Sequence, residues 1–328
     1  GILTAKDIPF NRFGIYPDGK DQPVLSDGIV RYQGDAVVAV VGTRQAVTAT
    51  RLGDLPIVFD KLEPVIGVKG AKAHASRQLH EDKPGNLLIE GAVLKGDVEK
   101  AFGEAVAIAE GEFETHFVEH AYIEPEAGWA QRVGDRVEVH VTTQAVHMDR
   151  DEISSVLQID KGRVRVVPTA CGGGFGGKLD VSIQPILAVA AMKFDHPVAY
   201  IYERPESMAA STKRHPSKIS CRFAAKENGK LLAAEMTADF DTGAYASWGP
   251  TVAGRVPVHG SGPYFVPNVH VKGRGFFTNG PPAGAFRGFG VPQAAIAHEA
   301  MMDDLAESLD LDRLEIRMIN AIEAGQET

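Results

Sequence analysis

The chain has 328 residues, of which 44% are hydrophobic and 23% are charged, a balance that is ordinary for a globular protein with a sizeable core. Its formal net charge of -9 argues against a nucleic-acid-binding surface. No apolar run is long enough to span a membrane and no signal peptide is present, so we expect a cytoplasmic protein with no membrane partner.

The first 75 residues predict a small mixed domain. Alternating and β-branched residues indicate strands at 27–32, 36–41 and 55–59, and a helix is expected at 43–52. The opening residues look like the middle of a domain rather than a targeting segment. The two cysteines, Cys171 and Cys221, are too few for an iron–sulfur cluster or a disulfide framework, which fits a reducing cytoplasm.

Residues 76–108 form a predicted connector, polar and irregular at first, with a short helix near 96–102. A larger region, 109–328, combines further strands and helices, so the predicted fold class is α+β. Strands are expected near 112–116, 137–142, 198–202, 217–225 and 231–239, and amphipathic helices at 299–309 and 313–321.

A glycine-rich loop, GGGFGG at 172–177, lies between a predicted strand at 164–167 and an apolar helix at 183–192. Glycines allow backbone N–H groups to approach a ligand, and a helix N-terminus favours phosphate. The loop matches G-x-G-x-x-G, and the strand near 198–202 ends at Glu203, where a ribose-binding acid could lie. A dinucleotide site and a purely structural turn are both open on this segment alone.

A second unusual stretch, PPAGAFRGFGVPQ at 281–293, surrounds one arginine with glycine, proline and phenylalanine. Such a run cannot form a regular helix or a central strand. It is either a surface loop or a ligand-binding loop in which Arg287 is a fixed cation that stabilises negative charge.

Several stretches together resemble the molybdenum-binding part of the xanthine dehydrogenase and aldehyde oxidoreductase family. They are residues 32–41, EHAYIEPE at 119–126, TTQ at 142–144, the loop at 172–177 and residues 285–293. Within that family the chain is most similar to nicotinate dehydrogenase-like enzymes, whose molybdenum subunit is split. The resemblance implies an N-terminally incomplete α/β hammerhead domain at 1–75, a connector at 76–108 and the first half of a molybdopterin-binding α+β domain at 109–328. It also argues against the dinucleotide site.

The resemblance further implies an oxidoreductase that hydroxylates an electron-poor carbon of an N-heteroaromatic, nicotinate-like or purine-like substrate, with water as the oxygen source. The implied cofactor is molybdopterin with molybdenum, in its cytosine dinucleotide form, with no protein side chain binding the metal directly. A [2Fe-2S] subunit and an FAD subunit are expected as partners. The alternatives are an aldehyde oxidoreductase of the same family and a non-catalytic scaffold subunit.

Five residues carry the cofactor site that the resemblance implies. Gln144 matches the glutamine that donates a hydrogen bond to the apical oxo group, a role that suits an amide N–H. Gly174, Phe175 and Gly176 match the backbone beside the metal, and Arg287 matches the active-site arginine. Gln144 and Arg287 are therefore the expected catalytic residues. Without the family, Gln144 could also be a strand-end residue facing water.

The substrate pocket is expected to include Phe289 and Leu179. In purine-oxidising members a glutamate follows the lysine of the loop, whereas Leu179 follows Lys178 here, which weakens a purine assignment. The family's catalytic glutamate lies in a Gly-x-Gly-Glu motif that this chain lacks. We therefore expect a second molybdopterin-domain polypeptide to carry that base, while Asp180 is expected to cap the helix after the loop.

Overall fold

The computed structural model describes residues 1–73 and 77–326. The strands are β1 (Ile2–Leu3), β2 (Ala39–Val40), β3 (Leu87–Lys95), β4 (Ala107–Thr115), β5 (Ala127–Val133), β6 (Arg136–Val141), β7 (Val164–Pro168), β8 (Val198–Ile201), β9 (Ser217–Ala225), β10 (Leu231–Gly243) and β11 (Asn268–Phe277). The helices are α1 (Arg44–Ala49), α2 (Gly67–Ala71), α3 (Val98–Gly103), α4 (Val146–Leu157), α5 (Gln184–Phe194), α6 (Arg204–Ala210), α7 (Gly249–His259), α8 (Val291–Ser308) and α9 (Arg313–Asn320). None of the helices in the described ranges is both long and apolar enough to cross a membrane.

The larger sheet has the order β3-β11-β10-β9-β4. The β10–β11 pair is parallel and the other pairs are antiparallel. Alternation in β9 turns Ile219, Cys221 and Phe223 inward, where helices α7 and α8 complete a core that also holds Met236 and Met301. The opposite face carries cross-strand ion pairs and a smaller apolar cluster, in which Ala224 and Ala233 pack with Phe102 of α3.

The smaller sheet has the order β7-β6-β5-β8 and packs against α4 and α5. The apolar run of α5 is buried on almost every side, which explains its Ala-rich, continuously hydrophobic sequence. The N-terminal segment adds Leu3, Ile8, Phe13 and Leu25 to the same core. Residues from the first 25 positions therefore share a hydrophobic core with this sheet.

The two sheets with their packed helices confirm the predicted α+β class. Within 1–75, however, the predicted strands at 27–32 and 55–59 are wrong, and the strand at 36–41 is reduced to β2. Val58 and Phe59 are 90% and 65% exposed. Strand propensity needs a neighbouring strand to pair with, and the described residues provide none there.

The sequence did not predict strands β3 and β11, and the glycines of β11 explain why that strand was missed. Gly273 and Gly275 weaken its strand pattern, yet a side chain at Gly273 would collide with the carbonyl oxygen of Ala253 in α7. The glycine is therefore there for close strand–helix packing. β3, which lies inside the predicted connector 76–108, pairs along its length with β11.

The dinucleotide hypothesis is excluded by the sheet order. In such a unit the strands on either side of the helix are neighbours, whereas β7 and β8 lie at opposite edges of the smaller sheet. In addition, α5 begins at Gln184, seven residues after Gly177, so the glycine loop does not run directly into a helix N-terminus.

Candidate functional site

The two glycine-rich stretches meet. We call residues 172–178 the glycine loop and residues 281–290 the arginine loop. The backbone N–H of Arg287 donates to the carbonyl oxygen of Phe175 at 3.0 Å. Gly176 has a φ of +109°, and a Cβ there would lie 2.6 Å from the carbonyl oxygen of Ala285. Gly176 is therefore required for contact between the two loops as well as for its backbone conformation.

Gln144 lies just after β6 and is bound to the glycine loop. Its backbone N–H donates to the Lys178 carbonyl oxygen at 3.0 Å. Its side-chain Oε1 accepts the N–H groups of Gly176 at 3.0 Å and Lys178 at 3.3 Å. The described residues offer no acceptor to its Nε2, and the residue is exposed. The amide is thus held by its oxygen, with its N–H donors available to a ligand.

Glu124 binds both ends of the glycine loop. Its Oε2 accepts the backbone N–H of Gly172 at 2.7 Å and pairs with Lys178 Nζ at 3.1 Å. The Lys178 side chain is 2% exposed and its ammonium lies 4.7 Å from the centre of the Tyr122 ring. Glu124 therefore has a structural role, because both ends of the loop depend on its carboxylate.

A stack of side chains fixes the arginine loop. The Phe286 ring lies between His120, with ring centres 4.2 Å apart, and the Arg214 guanidinium, 4.0 Å away. His120 Nε2 is 2.8 Å from the Ala285 carbonyl oxygen, and Arg214 donates to the Arg287 carbonyl oxygen at 2.9 Å. Burial lowers the pKa of His120 and of Arg214.

The sequence assigned no role to Arg214 or to His120, although His120 lies within the 119–126 stretch. Arg214 is 73 positions from Arg287, whose carbonyl oxygen it binds, and no local pattern joins them. The Arg287 guanidinium itself is exposed and has no acceptor or acidic partner among the described residues. It is therefore available to an anionic or electron-rich ligand.

Phe289 lies in the arginine loop with a φ of +48°. Its ring packs edge-on against Trp248 at 5.6 Å, and the Arg255 guanidinium lies 5.2 Å from the ring centre. The structure thus adds Arg255 on α7, which the sequence did not suggest, as a cation beside the Phe289 ring.

Leu179 lines a separate small recess that includes Met148 and Asp180. The Ser247 hydroxyl donates to Asp180 Oδ2 at 2.6 Å, and the next residue, Trp248, packs against Phe289, so these two neighbours link the recess to Phe289. Asp180 does not cap α5, because no side chain caps that helix. Although part of the residue reaches the surface, burial of its carboxyl group raises its pKa to about 6.

Three carboxylates beside the glycine loop each have an ion-pair or hydrogen-bond partner within the protein. Glu124 binds Lys178, Glu119 pairs with Lys213 at 2.7 Å, and Glu126 accepts the hydroxyl of Tyr122. Hence the arrangement can present an amide donor, backbone N–H groups and a guanidinium, but these three acids are not positioned as a free general base.

Residues 79–321 match the family model of the molybdopterin cofactor-binding domain. The chain is 39% identical to the nicotinate dehydrogenase large molybdopterin subunit of Eubacterium barkeri, over 99% of this chain and 76% of that protein. It is 37% identical to a subunit of the "Probable xanthine dehydrogenase" of Bacillus subtilis, over 97% of this chain and 43% of that protein.

Among solved structures, the aldehyde oxidoreductase from Desulfovibrio gigas superimposes with a TM-score of 0.95 and 29% identity. The match covers 100% of this chain and 37% of that chain. The chain therefore spans most of the first relative, but less than half of the other two.

Proposed function

Because this chain belongs to the molybdopterin cofactor-binding domain family, we propose that it is the cofactor-binding subunit of a heteromeric molybdenum hydroxylase. The observation that carries the proposal is the Gln144 amide. Its oxygen is bound to two backbone N–H groups of the glycine loop, which leaves its N–H donors for a ligand. The arginine loop, which is hydrogen-bonded to the same glycine loop, presents Arg287.

The residues present fit a molybdopterin cofactor. Besides Gln144, the backbone N–H groups of Gly174 and Phe175 have no acceptor among the described residues, so the loop offers several donors to an oxygen-rich group. When bound, the cofactor would supply a redox-active molybdenum centre that takes electrons from the substrate. We propose the cytosine dinucleotide form. Gln144 would orient the centre, and Arg287 would stabilise negative charge that develops on the substrate.

We propose an aza-aromatic acid, similar to nicotinate, as the substrate. Phe289 can stack on a heteroaromatic ring, and Arg255 beside it and Arg287 two residues away can attract a carboxylate. Leu179 cannot hydrogen-bond a purine. The aldehyde alternative is supported by the same apolar Leu179 and by the likeness to an aldehyde oxidoreductase. The intact Gln144 contacts argue against a scaffold role.

The domain boundaries and the subunit organisation are also proposals. We propose a hammerhead-like part at 1–75, a connector at 76–108 and the first half of the cofactor domain at 109–328. A second molybdopterin-domain polypeptide would bring the catalytic glutamate, an iron–sulfur subunit and a flavin subunit would carry electrons away, and the complex would work in the cytoplasm. The occupied carboxylates beside the glycine loop support the need for an external base.

The test is reconstitution. The chain is expressed alone, with a partner polypeptide that carries Gly-x-Gly-Glu, and with the same partner bearing a Glu→Gln change. Hydroxylation of nicotinate, hypoxanthine and an aromatic aldehyde is then measured with an artificial electron acceptor, together with molybdenum content. We expect turnover of nicotinate only with the unchanged partner. Turnover by the solitary chain, or a complex without molybdenum, would contradict the proposal.

A further inference from the structure

A polar cavity lies behind the glycine loop, on the side of the N-terminal segment. Oxygen-bearing side chains dominate its polar lining, and Gly177 forms part of its wall. The lining includes Gln22, Asp35, Glu126, Ser182 and Thr212. The cavity therefore joins the glycine loop, the N-terminal segment and the segment that precedes β9.

Glu126 is the unusual member of this lining. The residue is only 4% exposed, its Oε1 accepts the Tyr122 hydroxyl, and its Oε2 has no hydrogen-bond partner among the described residues. Thr212 is 8% exposed, and its Oγ1 likewise has no partner there. Two buried oxygens thus border the same cavity with their bonding capacity unused.

No basic side chain in the described part of the chain forms an ion pair with Glu126. Lys213 is near in sequence to Thr212, but its ammonium pairs with Glu119 at 2.7 Å and donates to the Ser211 carbonyl oxygen at 2.5 Å. The other acids of the lining have their own donors, since Asp180 accepts from Ser247 and Asp35 from Tyr245. Because the Lys213 ammonium also attracts Glu126, one positive charge is shared by two carboxylates, and one negative charge is left unbalanced. An unbalanced charge in a buried site is costly, so it calls for a compensating group.

We propose that this cavity binds a monovalent alkali cation, Na⁺ or K⁺, through Glu126 and Thr212. Hard cations prefer oxygen ligands, which these two residues supply. The described residues contain no group of three or more His, Cys, Asp or Glu that could hold a metal ion, which disfavours a divalent ion. One monovalent cation balances the one negative charge that Lys213 leaves over when it is shared by Glu119 and Glu126.

The cation would tie the 120–126 segment, which lies beneath the glycine loop, to Thr212. It would stabilise the support of that loop. The inference does not depend on the proposed function, because it concerns a site behind the loop and a stability effect in the chain itself.

The test is thermal unfolding of the full chain in NaCl, KCl and choline chloride at equal ionic strength. We expect Na⁺ or K⁺ to raise the Tm by about 2–4 °C over choline, with saturation as the concentration rises. Glu126→Gln keeps the shape of the side chain and should abolish the cation effect. Glu307→Gln, at an exposed position on α8, should leave it unchanged.

Thr212→Val provides a second variant in case Glu126→Gln fails to fold. We expect it to raise the cation concentration at which the Tm effect saturates by at least several-fold. Crystals grown with Tl⁺ should show anomalous density beside Glu126. Equal Tm values in all three salts, or a cation effect that survives both substitutions, would overturn the proposal and leave a cavity that holds water only.

Discussion

The backbone N–H of Arg287 donates to the carbonyl oxygen of Phe175 at 3.0 Å, which joins the arginine loop to the glycine loop. These residues are 112 positions apart in the chain. Since Gln144 binds the glycine loop on its other side, the amide donor, the loop backbone and the guanidinium are held as one unit. A change in either loop should therefore affect the other.

Gly176→Ala should destabilise the protein as well as impair cofactor retention. The added Cβ would lie 2.6 Å from the Ala285 carbonyl oxygen, at a φ of +109° that side chains rarely adopt. Backbone strain alone costs about 1–3 kcal/mol, and the collision adds to it. Chemical denaturation with molybdenum analysis is the measurement.

The matched control is Gly134→Ala. That glycine also has a positive φ, +63°, but a Cβ there would meet nothing within 4 Å. We expect it to cost less stability and to leave molybdenum content unchanged. Equal losses in the two variants would show that loop contact is not what makes Gly176 necessary.

Gln144 offers a way to separate loop support from ligand donation. Gln144→Glu keeps an acceptor for the N–H groups of Gly176 and Lys178 but removes the amide donors. Loss of one preorganised donor costs about 10²–10³ in rate, so turnover should fall by that factor while the unfolding midpoint changes little. Gln144→Ala should lower both. Steady-state kinetics and thermal unfolding are compared, and unchanged turnover in the Glu variant would rule out the donor role.

Arg287→Met should reduce turnover by about 10²–10³ without unfolding the protein. The guanidinium has no partner among the described residues, and its loop is held by backbone and by Arg214, so the fold does not depend on it. Kinetics on molybdenum-replete enzyme are required. Arg51→Met, a change at another exposed arginine, serves as the control. Near-normal turnover of the Met variant would refute the role of Arg287.

Asp180 should make stability depend on pH. Burial raises its pKa from 3.8 to about 6, so the folded state binds more protons than the unfolded state between these values. The free energy of unfolding should therefore fall as the pH rises from about 4 to about 6, by up to about 3 kcal/mol.

The comparison for Asp180 uses Asp180→Asn, which can still accept from the Ser247 hydroxyl. Asp149 also responds to this change, because the charge of Asp180 contributes to its raised pKa. The difference between the two pH profiles therefore reports Asp180 together with its effect on Asp149. Denaturant unfolding at pH 4.5 and 7.5 should give a smaller decline in the Asn variant. Parallel profiles would mean that Asp180 titrates normally in the folded protein.

The sequence by itself determined the elements whose burial pattern is local. The alternation in β9 and the continuous apolar run in α5 predict their structures, because one face or all faces of each are buried. The two glycine-rich stretches were also recognisable as loops, since glycine and proline exclude regular elements there. By resemblance, the sequence also singled out Gln144 and Arg287.

Only the tertiary structure decided how these pieces act on one another. The predicted strand at 55–59 failed because strand formation depends on a partner that the described residues do not supply. The supports of the arginine loop, His120 and Arg214, are distant in sequence, and each acts through stacking on Phe286 and one carbonyl contact. Gly176 likewise owes its necessity to Ala285, more than 100 residues away. Such contacts arise from packing between remote segments, and no local pattern of residues encodes them.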